Sequence, residues 1–150
     1  MLLMTNIITP DDGQQVHAVV CYCHGYNDFP TLTRRKELFR MVKQGIAIVL
    51  IEYEGHGRSD GTLGLIKDWA KLIDDTSDFF AMVSQHRFPS VPCFLMGESM
   101  GGAVAYCTYN RNPKMFRGVI FVAPMCKIGD DVLPPKWVVR LFRWLAGPKD

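Results

Sequence analysis

The stretch PCFLMGESMGGAVAY, residues 92–106, decides the fold. Its apolar residues 93–96 predict a short buried strand, and the small residues from Gly101 onward predict a helix that packs closely on it. Between them lies Gly97-Glu98-Ser99-Met100-Gly101, which has the pattern G-x-S-x-G. Glycines on both sides allow a serine to stand in a sharp turn from strand to helix. The stretch therefore predicts a strand–turn–helix unit with an exposed serine at the turn.

Strand-like and helix-like segments alternate on both sides of this unit. Besides the strand at 93–96, the sequence predicts strands at 16–23, 46–53 and 118–123 and helices at 31–44, 66–86 and 101–110. The apolar face of the helix at 66–86 is predicted to hold Trp69, Leu72, Ile73, Thr76, Phe79, Phe80 and Val83. This alternation is typical of an α/β fold, a mostly parallel sheet with helices on both faces.

Composition narrows the class of protein. The chain has 48% hydrophobic residues and a formal charge of +2, so it can form a core but has no basic run that would track nucleic acid. Its five cysteines form no paired C-x-x-C set, so we expect core thiols in a reducing compartment and no metal site. The first residues do not resemble a signal peptide, and no apolar run approaches the roughly 20 residues of a membrane span. These features predict a cytoplasmic protein.

Ser99 is the candidate nucleophile. A serine that begins a helix gains from the helix dipole, which favours developing negative charge beside it. The alternative is a glycine-rich turn in which Ser99 only caps the helix.

The candidate oxyanion hole combines two segments. His24-Gly25-Tyr26 follows the strand at 16–23, and ligands of parallel sheets gather at the carboxyl ends of strands. We therefore expect this segment to face Ser99, with the backbone N–H groups of Tyr26 and Met100 as the two donors. His24, Gly25, Gly97 and Gly101 are expected to support this geometry. Taken alone, His24-Gly25 could also be an ordinary turn.

Four segments in order resemble one family. HGYND (24–28), EYEGHGRSDG (52–61), GESMGG (97–102) and VAPMCKI (122–128) are similar to the monoacylglycerol lipase group of α/β-hydrolases. The resemblance implies hydrolysis of carboxylic esters of glycerol or lysolipids, small-molecule lipid substrates, through an acyl-enzyme on Ser99. It also implies that no metal or organic cofactor is used, and that the loop containing His56 shapes the site without doing chemistry.

The resemblance further implies that residues 131–150 begin a lid or cap insertion. A helix is predicted at 134–147, and its segment Trp137–Leu145 combines apolar and basic residues. Such a helix can make peripheral contact with a membrane, or it can pack on a core.

A serine nucleophile in this fold is followed along the chain by an acid and then by a histidine. All four histidines, His17, His24, His56 and His86, precede Ser99. We therefore expect residues 1–150 to be a partial α/β-hydrolase domain that is inactive by itself. The alternatives are a non-catalytic binding module, or a peptidase, thioesterase or phenolic esterase of the same fold.

Overall fold

The computed structural model describes residues 1–11, 13–29, 34–126 and 140. Its strands are β1 Thr5–Ile8, β2 Ala18–Cys23, β3 Ile46–Ile51, β4 Cys93–Glu98 and β5 Val119–Val122. Its helices are α1 Arg35–Val42, α2 Trp69–His86 and α3 Met100–Arg111. The predicted helix at 134–147 and the predicted lid at 131–150 lie outside the described residues, Arg140 excepted.

The strands form one sheet in the order β1-β3-β2-β4-β5. β1 runs antiparallel to β3, whereas the pairs β2–β3, β2–β4 and β4–β5 are parallel. Cys23 at the end of β2 pairs with Gly97 near the end of β4, so the loops that follow these two strands leave the sheet at one edge. The predicted mostly parallel α/β sheet is confirmed.

Helices cover both faces of the sheet. Alternate side chains of a strand point to opposite faces, and the two central strands supply both cores. One core joins Val20, Tyr22, Ile48 and Leu50 to Leu38 and Val42 of α1. The other joins Val19, Cys21, Ala47 and Val49 to residues of α2 and α3 that include Ile73, Phe80 and Val104. This two-sided packing fixes the position of the β2 and β4 ends.

The second helix begins later than predicted. The Asp68 side chain accepts the backbone N–H of Lys71 at 3.0 Å, which caps the helix and places its first residue at Trp69. Trp69 itself is 37% exposed, so its predicted place on the buried face is wrong, and Ser77 is buried instead. Periodicity identifies the face of a helix but not how far along the helix the core extends.

Strand β1 is not predicted from the sequence pattern. Its four residues pair with β3 in a register that sets Ile7 opposite Val49. Four residues of alternating burial are too short for their period to stand out in the sequence. The strand covers the edge of β3 and leaves the site end of the sheet unchanged.

The prediction that the cysteines are core thiols holds for Cys21, Cys23 and Cys93. The Sγ atoms of Cys21 and Cys93 lie 3.4 Å apart on neighbouring strands, and both remain thiols. The prediction is wrong for Cys126, which is exposed just after β5, and only in part right for Cys107. Within the described ranges, no helix is long and apolar enough to cross a membrane.

Candidate active site

Ser99 occupies the turn between β4 and α3 in a strained conformation. Its φ of 53° and ψ of −122° correspond to the first central position of a type II′ turn, which glycine usually occupies. Hydrogen bonds hold it there: its N–H donates to the Val122 carbonyl at 3.1 Å, and its own carbonyl accepts from Met125 N–H at 2.8 Å. Such strain costs about 1–3 kcal/mol and is concentrated at functional sites. The Ser99 side chain is exposed.

Gly97 and Gly101 make this turn possible. A Cβ at Gly97 would lie 2.2 Å from the Gly101 carbonyl oxygen, and a Cβ at Gly101 would lie 2.0 Å from the Cys23 carbonyl oxygen. No side chain fits at either distance. α3 therefore starts in direct backbone contact with the end of β2, as the supporting role predicted for these glycines requires.

The loop after β2 lies beside Ser99. A Cβ at Gly25 would be only 3.5 Å from the Ser99 Cβ. A pocket of about 260 Å³ opens at this point, lined by Gly25, Tyr26, Asn27, Asp28, Arg34, Glu98 and Ser99. Met100 is the first residue of α3, so its peptide N–H has no partner one turn earlier in the helix. The structure thus brings together the predicted residues, and the roles of Tyr26 and Met100 as oxyanion donors stay a prediction.

His24 is a buried, neutral histidine. Its Nδ1–H donates to the Gly25 carbonyl oxygen at 2.8 Å, and its Nε2 accepts the backbone N–H of Tyr53 at 3.2 Å. The ring also stacks on the Tyr53 ring, with 3.9 Å between centroids. Burial lowers the pKa of His24 to about 4. Because both ring nitrogens are bonded to backbone, His24 ties β2 to the end of β3 and has no nitrogen left to activate Ser99.

His56 is buried in the loop after β3. Its Nδ1–H donates to the Glu54 carbonyl oxygen at 3.0 Å, and its ring centroid lies 5.5 Å from that of His24. His56 is absent from the wall of the pocket beside Ser99. This placement agrees with the structural role implied for it by the resemblance.

The buried carboxylate of Glu52 organises the His56 loop. It accepts the backbone N–H of Arg58 at 2.6 Å and pairs with the Arg58 guanidinium at 3.3 Å. Gly57 leaves room for it, since a Cβ there would be 2.3 Å from a Glu52 oxygen. Burying a charged carboxylate is tolerated because both of its oxygens are bonded.

A second ionic contact lies at the pocket itself and is not predicted from the sequence pattern. Glu98 accepts a hydrogen bond from the Tyr22 hydroxyl at 2.9 Å and pairs with Arg34 at the start of α1. Burial, and next the bond to Glu98, raise the pKa of Tyr22. Tyr22, a polar residue within the predicted strand at 16–23, is the one sequence feature that could have indicated this contact. The contact joins the turn that carries Ser99 to Arg34, which follows the loop after β2, called here the Tyr26 loop (residues 24–29).

A second, apolar groove of about 370 Å³ lies at the open edge of the sheet. It is lined by Gly102, Ala103, Tyr106, Cys107, Phe121, Pro124, Met125 and Cys126. Phe121 of β5 is 46% exposed, and among the described strands β5 has β4 as its one neighbour. β5 is thus an exposed edge strand in the described part of the chain. Within that same part, no group of three or more His, Cys, Asp or Glu side chains is arranged to hold a metal ion.

Comparisons with known proteins show which family the chain belongs to. Residues 14–149 match the family described as serine aminopeptidase, S33. The chain is 32% identical over 150 residues to caffeoylshikimate esterase of Arabidopsis thaliana, covering 99% of this chain and 45% of that protein. It is 30% identical over 110 residues to monoglyceride lipase of Homo sapiens, covering 72% of this chain and 35% of that protein. The chain thus spans less than half the length of these relatives.

Solved structures share the fold. A soluble variant of monoglyceride lipase from Saccharomyces cerevisiae superposes with a TM-score of 0.76 at 18% identity, over 96% of this chain and 48% of that one. A monoacylglycerol lipase of Paleococcus ferrophilus gives a TM-score of 0.69 at 19% identity, over 97% of this chain and 51% of that one. Because the family match covers nearly the whole chain, the chain belongs to the α/β-hydrolase family described as serine aminopeptidase, S33.

Proposed function

We propose that the protein is a serine hydrolase that cleaves carboxylic esters of glycerol or lysolipids through an acyl-enzyme on Ser99. One observation carries the proposal: an exposed serine is held at φ 53° between β4 and α3, beside the Gly25-Tyr26 loop. A serine that merely capped a helix would have no need of positive φ, because a capping residue takes an extended conformation.

In the proposed reaction, the Ser99 oxygen attacks the ester carbonyl carbon, and the carbonyl oxygen becomes an oxyanion. The N–H groups of Tyr26 and Met100 bind that oxyanion. The alcohol then leaves with the proton that Ser99 gave up, and an acyl-serine remains. Water hydrolyses the acyl-serine, which releases the carboxylic acid and restores Ser99. Proton transfer needs a base and an orienting acid, and no histidine in this sequence follows Ser99.

The choice of substrate is supported by the relatives. Several are named monoglyceride lipase, and they span human, rat, mouse and viral proteins. A phenolic-ester hydrolase is the second candidate, favoured by the match over the whole chain to a protein named caffeoylshikimate esterase. Shared fold does not decide between these substrates.

Turnover by the longest protein that the gene encodes tests the substrate. A monoacylglycerol, a lysophospholipid, a caffeoyl ester and a short p-nitrophenyl ester are compared side by side. The proposal expects the highest kcat/KM with the monoacylglycerol or the lysophospholipid. A preference for the caffeoyl ester supports the second candidate instead. No turnover of any ester would contradict the proposal and favour a non-catalytic binding module or a peptidase of the same fold.

The 150-residue chain alone is expected to be inactive toward these esters. Removal of a base leaves a serine hydrolase with only about 10³- to 10⁴-fold catalysis over water. Turnover by the 150-residue chain is compared with turnover by the longer gene product at equal concentration. Equal kcat values would show that the activating residues lie within residues 1–150.

The proposal also places the protein in the cytoplasm, with peripheral contact to membranes through residues 137–145. The experiment is flotation of the gene product with vesicles of phosphatidylcholine and anionic lipid. Replacement of Trp137 and Leu141 by serine is expected to abolish flotation, whereas Phe121→Ser on β5 is the control that leaves it unchanged. Flotation that survives the double substitution would contradict this part of the proposal.

A further inference from the structure

The side chain of Tyr26 links two loops beside Ser99. Its hydroxyl donates a hydrogen bond to the Gly64 carbonyl oxygen, with 2.7 Å between the oxygens. Its ring meets the His56 ring edge-on, with 5.5 Å between centroids. Because the side chain is 57% exposed, these contacts hold it in place and burial does not.

The accepting carbonyl belongs to a rigid turn. Gly64 has a φ of +71°, and its N–H donates to the Gly55 carbonyl at 2.8 Å. Leu65 N–H closes the turn on the Thr62 carbonyl at 2.9 Å. A Cβ at Gly64 would lie 2.9 Å from the Tyr26 hydroxyl oxygen, so the turn leaves room for the hydroxyl only because residue 64 is glycine.

The rest of that loop is fixed to the end of β3. His56 N–H donates to the Tyr53 carbonyl at 2.9 Å, and Arg58 N–H donates to the buried Glu52 carboxylate at 2.6 Å. The Tyr26 hydroxyl is thus bonded to a segment that is anchored in the core.

Bonds within the Tyr26 loop are local. Asp28 N–H donates to the Gly25 carbonyl at 3.3 Å, and Phe29 N–H donates to the Asp28 carboxylate at 2.8 Å. Further along the loop, the Arg58 guanidinium stacks over the Phe29 ring, 5.3 Å from its centroid. The peptide group between Gly25 and Tyr26 is held through its carbonyl, which accepts from Asp28 N–H and from His24 Nδ1–H. The Tyr26 hydroxyl bond adds a link from the Tyr26 side chain to the anchored loop.

We infer that Tyr26 is a positioning residue, whose hydroxyl bond to Gly64 holds the Tyr26 peptide N–H in line with the oxyanion. The inference rests on the proposed function. A donor stabilises an oxyanion fully only when it is fixed within a few tenths of an ångström of its productive place. Loss of the bond lets the N–H move, which weakens binding of the transition state more than binding of the substrate.

The substitution Tyr26→Phe tests this in the longest protein that the gene encodes, with p-nitrophenyl butyrate as substrate. It keeps the ring and its contact with His56 and removes only the hydroxyl. We expect kcat to fall about 3- to 10-fold while KM changes less than about 2-fold, the size of one lost hydrogen bond. The matched control is Tyr106→Phe on α3, an exposed tyrosine outside the pocket beside Ser99, which should leave both constants unchanged.

A second readout separates positioning from a general structural role. The same variants are assayed on the thiono analogue, in which sulfur replaces the carbonyl oxygen. Sulfur accepts hydrogen bonds weakly, so a well-aligned hole favours the oxygen ester. Tyr26→Phe should therefore lower the ratio of ester to thionoester rates about 3-fold or more. The reason is that a misaligned oxyanion hole slows hydrolysis of the oxygen ester more than hydrolysis of the thionoester.

Three results would overturn the inference. If Tyr26→Phe keeps the wild-type kcat and the wild-type ratio of ester to thionoester rates while Ser99→Ala is inactive, the hydroxyl bond does not position the donor. An equal loss on both substrates would assign Tyr26 a structural role only. Full turnover in Ser99→Ala would remove the proposed function itself, and the inference with it.

Discussion

Gly101 lies so close to Cys23 that a Cβ on the glycine would be 2.0 Å from the cysteine carbonyl oxygen. The start of α3 therefore meets the backbone at the end of β2, and this approach brings Ser99 next to the Gly25-Tyr26 loop. Backbone atoms at that distance cannot move aside without disturbing the centre of the sheet.

Gly101→Ala is consequently expected to lower the free energy of unfolding by about 3 kcal/mol or more. Urea denaturation followed by circular dichroism gives the measurement. Gly118→Ala is the matched control, because its Cβ would be 3.6 Å from the Phe94 ring, an ordinary contact. Equal stability of the two variants would contradict the close approach.

Backbone strain at Ser99 predicts that glycine is more stabilising than alanine at this position, the reverse of their order inside a helix. Ser99→Gly should be more stable than Ser99→Ala by about 1 kcal/mol, because glycine adopts positive φ without strain. Both variants lack the hydroxyl, so they differ only by the Cβ methyl group, which disfavours positive φ. At Ser84 inside α2 the same two substitutions should show the opposite order, since alanine favours helix. The same order at both positions would argue against strain at Ser99.

The depressed pKa of His24 predicts loss of stability in mild acid. The folded chain keeps His24 neutral down to about pH 4, whereas the unfolded chain protonates it near pH 6.5. Between these values the unfolded chain binds more protons, so the free energy of unfolding falls as pH decreases through this window. The contribution of neutral His24 to the free energy of unfolding is fully present above pH 6.5 and amounts to about 3 kcal/mol at most.

Chemical denaturation between pH 7 and pH 4 measures this effect. His24→Gln should give a flatter dependence on pH than the wild-type chain. His86→Gln, at the exposed end of α2, should retain the wild-type slope. An identical slope in all three proteins would mean that folding does not lower the pKa of His24.

The buried carboxylate of Glu52 predicts a large effect from a one-atom change. In Glu52→Gln an amide NH₂ replaces one carboxylate oxygen and faces the Arg58 donors, which leaves buried polar groups unpaired. We expect a loss of about 3 kcal/mol in the free energy of unfolding. Glu54→Gln, two residues along and less buried, should cost under about 0.5 kcal/mol. Similar losses in the two variants would contradict the anchoring role of Glu52.

Much of this arrangement can be predicted from local sequence. The pattern around Ser99 fixes strand, turn and helix together, because only glycine at positions 97 and 101 permits the backbone approach. Alternating strands and helices then fix a parallel sheet and place the Tyr26 loop beside Ser99. The observed ends of strands and helices differ from the predicted ends by up to four residues. Capping residues such as Asp68 determine where a helix begins, and the hydrophobic periodicity does not show them.

Long-range polar contacts could not be predicted in this way. The Glu98–Arg34 pair and the Tyr26–Gly64 hydrogen bond join residues that are 64 and 38 positions apart in the sequence. Neither pair has a spacing or periodicity that marks it. Similarly, the exposure of Trp69 and Cys126 depends on what packs around them, which their own sequence neighbourhoods do not encode.

Covalent labelling can show whether Ser99 is the nucleophile. The longest protein that the gene encodes is treated with a fluorophosphonate, and mass spectrometry locates the adduct. Ser90→Ala is the control, because Ser90 is also exposed and also has a positive φ, 69°. We expect a stoichiometric adduct on Ser99 that persists in Ser90→Ala and disappears in Ser99→Ala. An adduct that survives Ser99→Ala, or one found on another residue of the native protein, would contradict it.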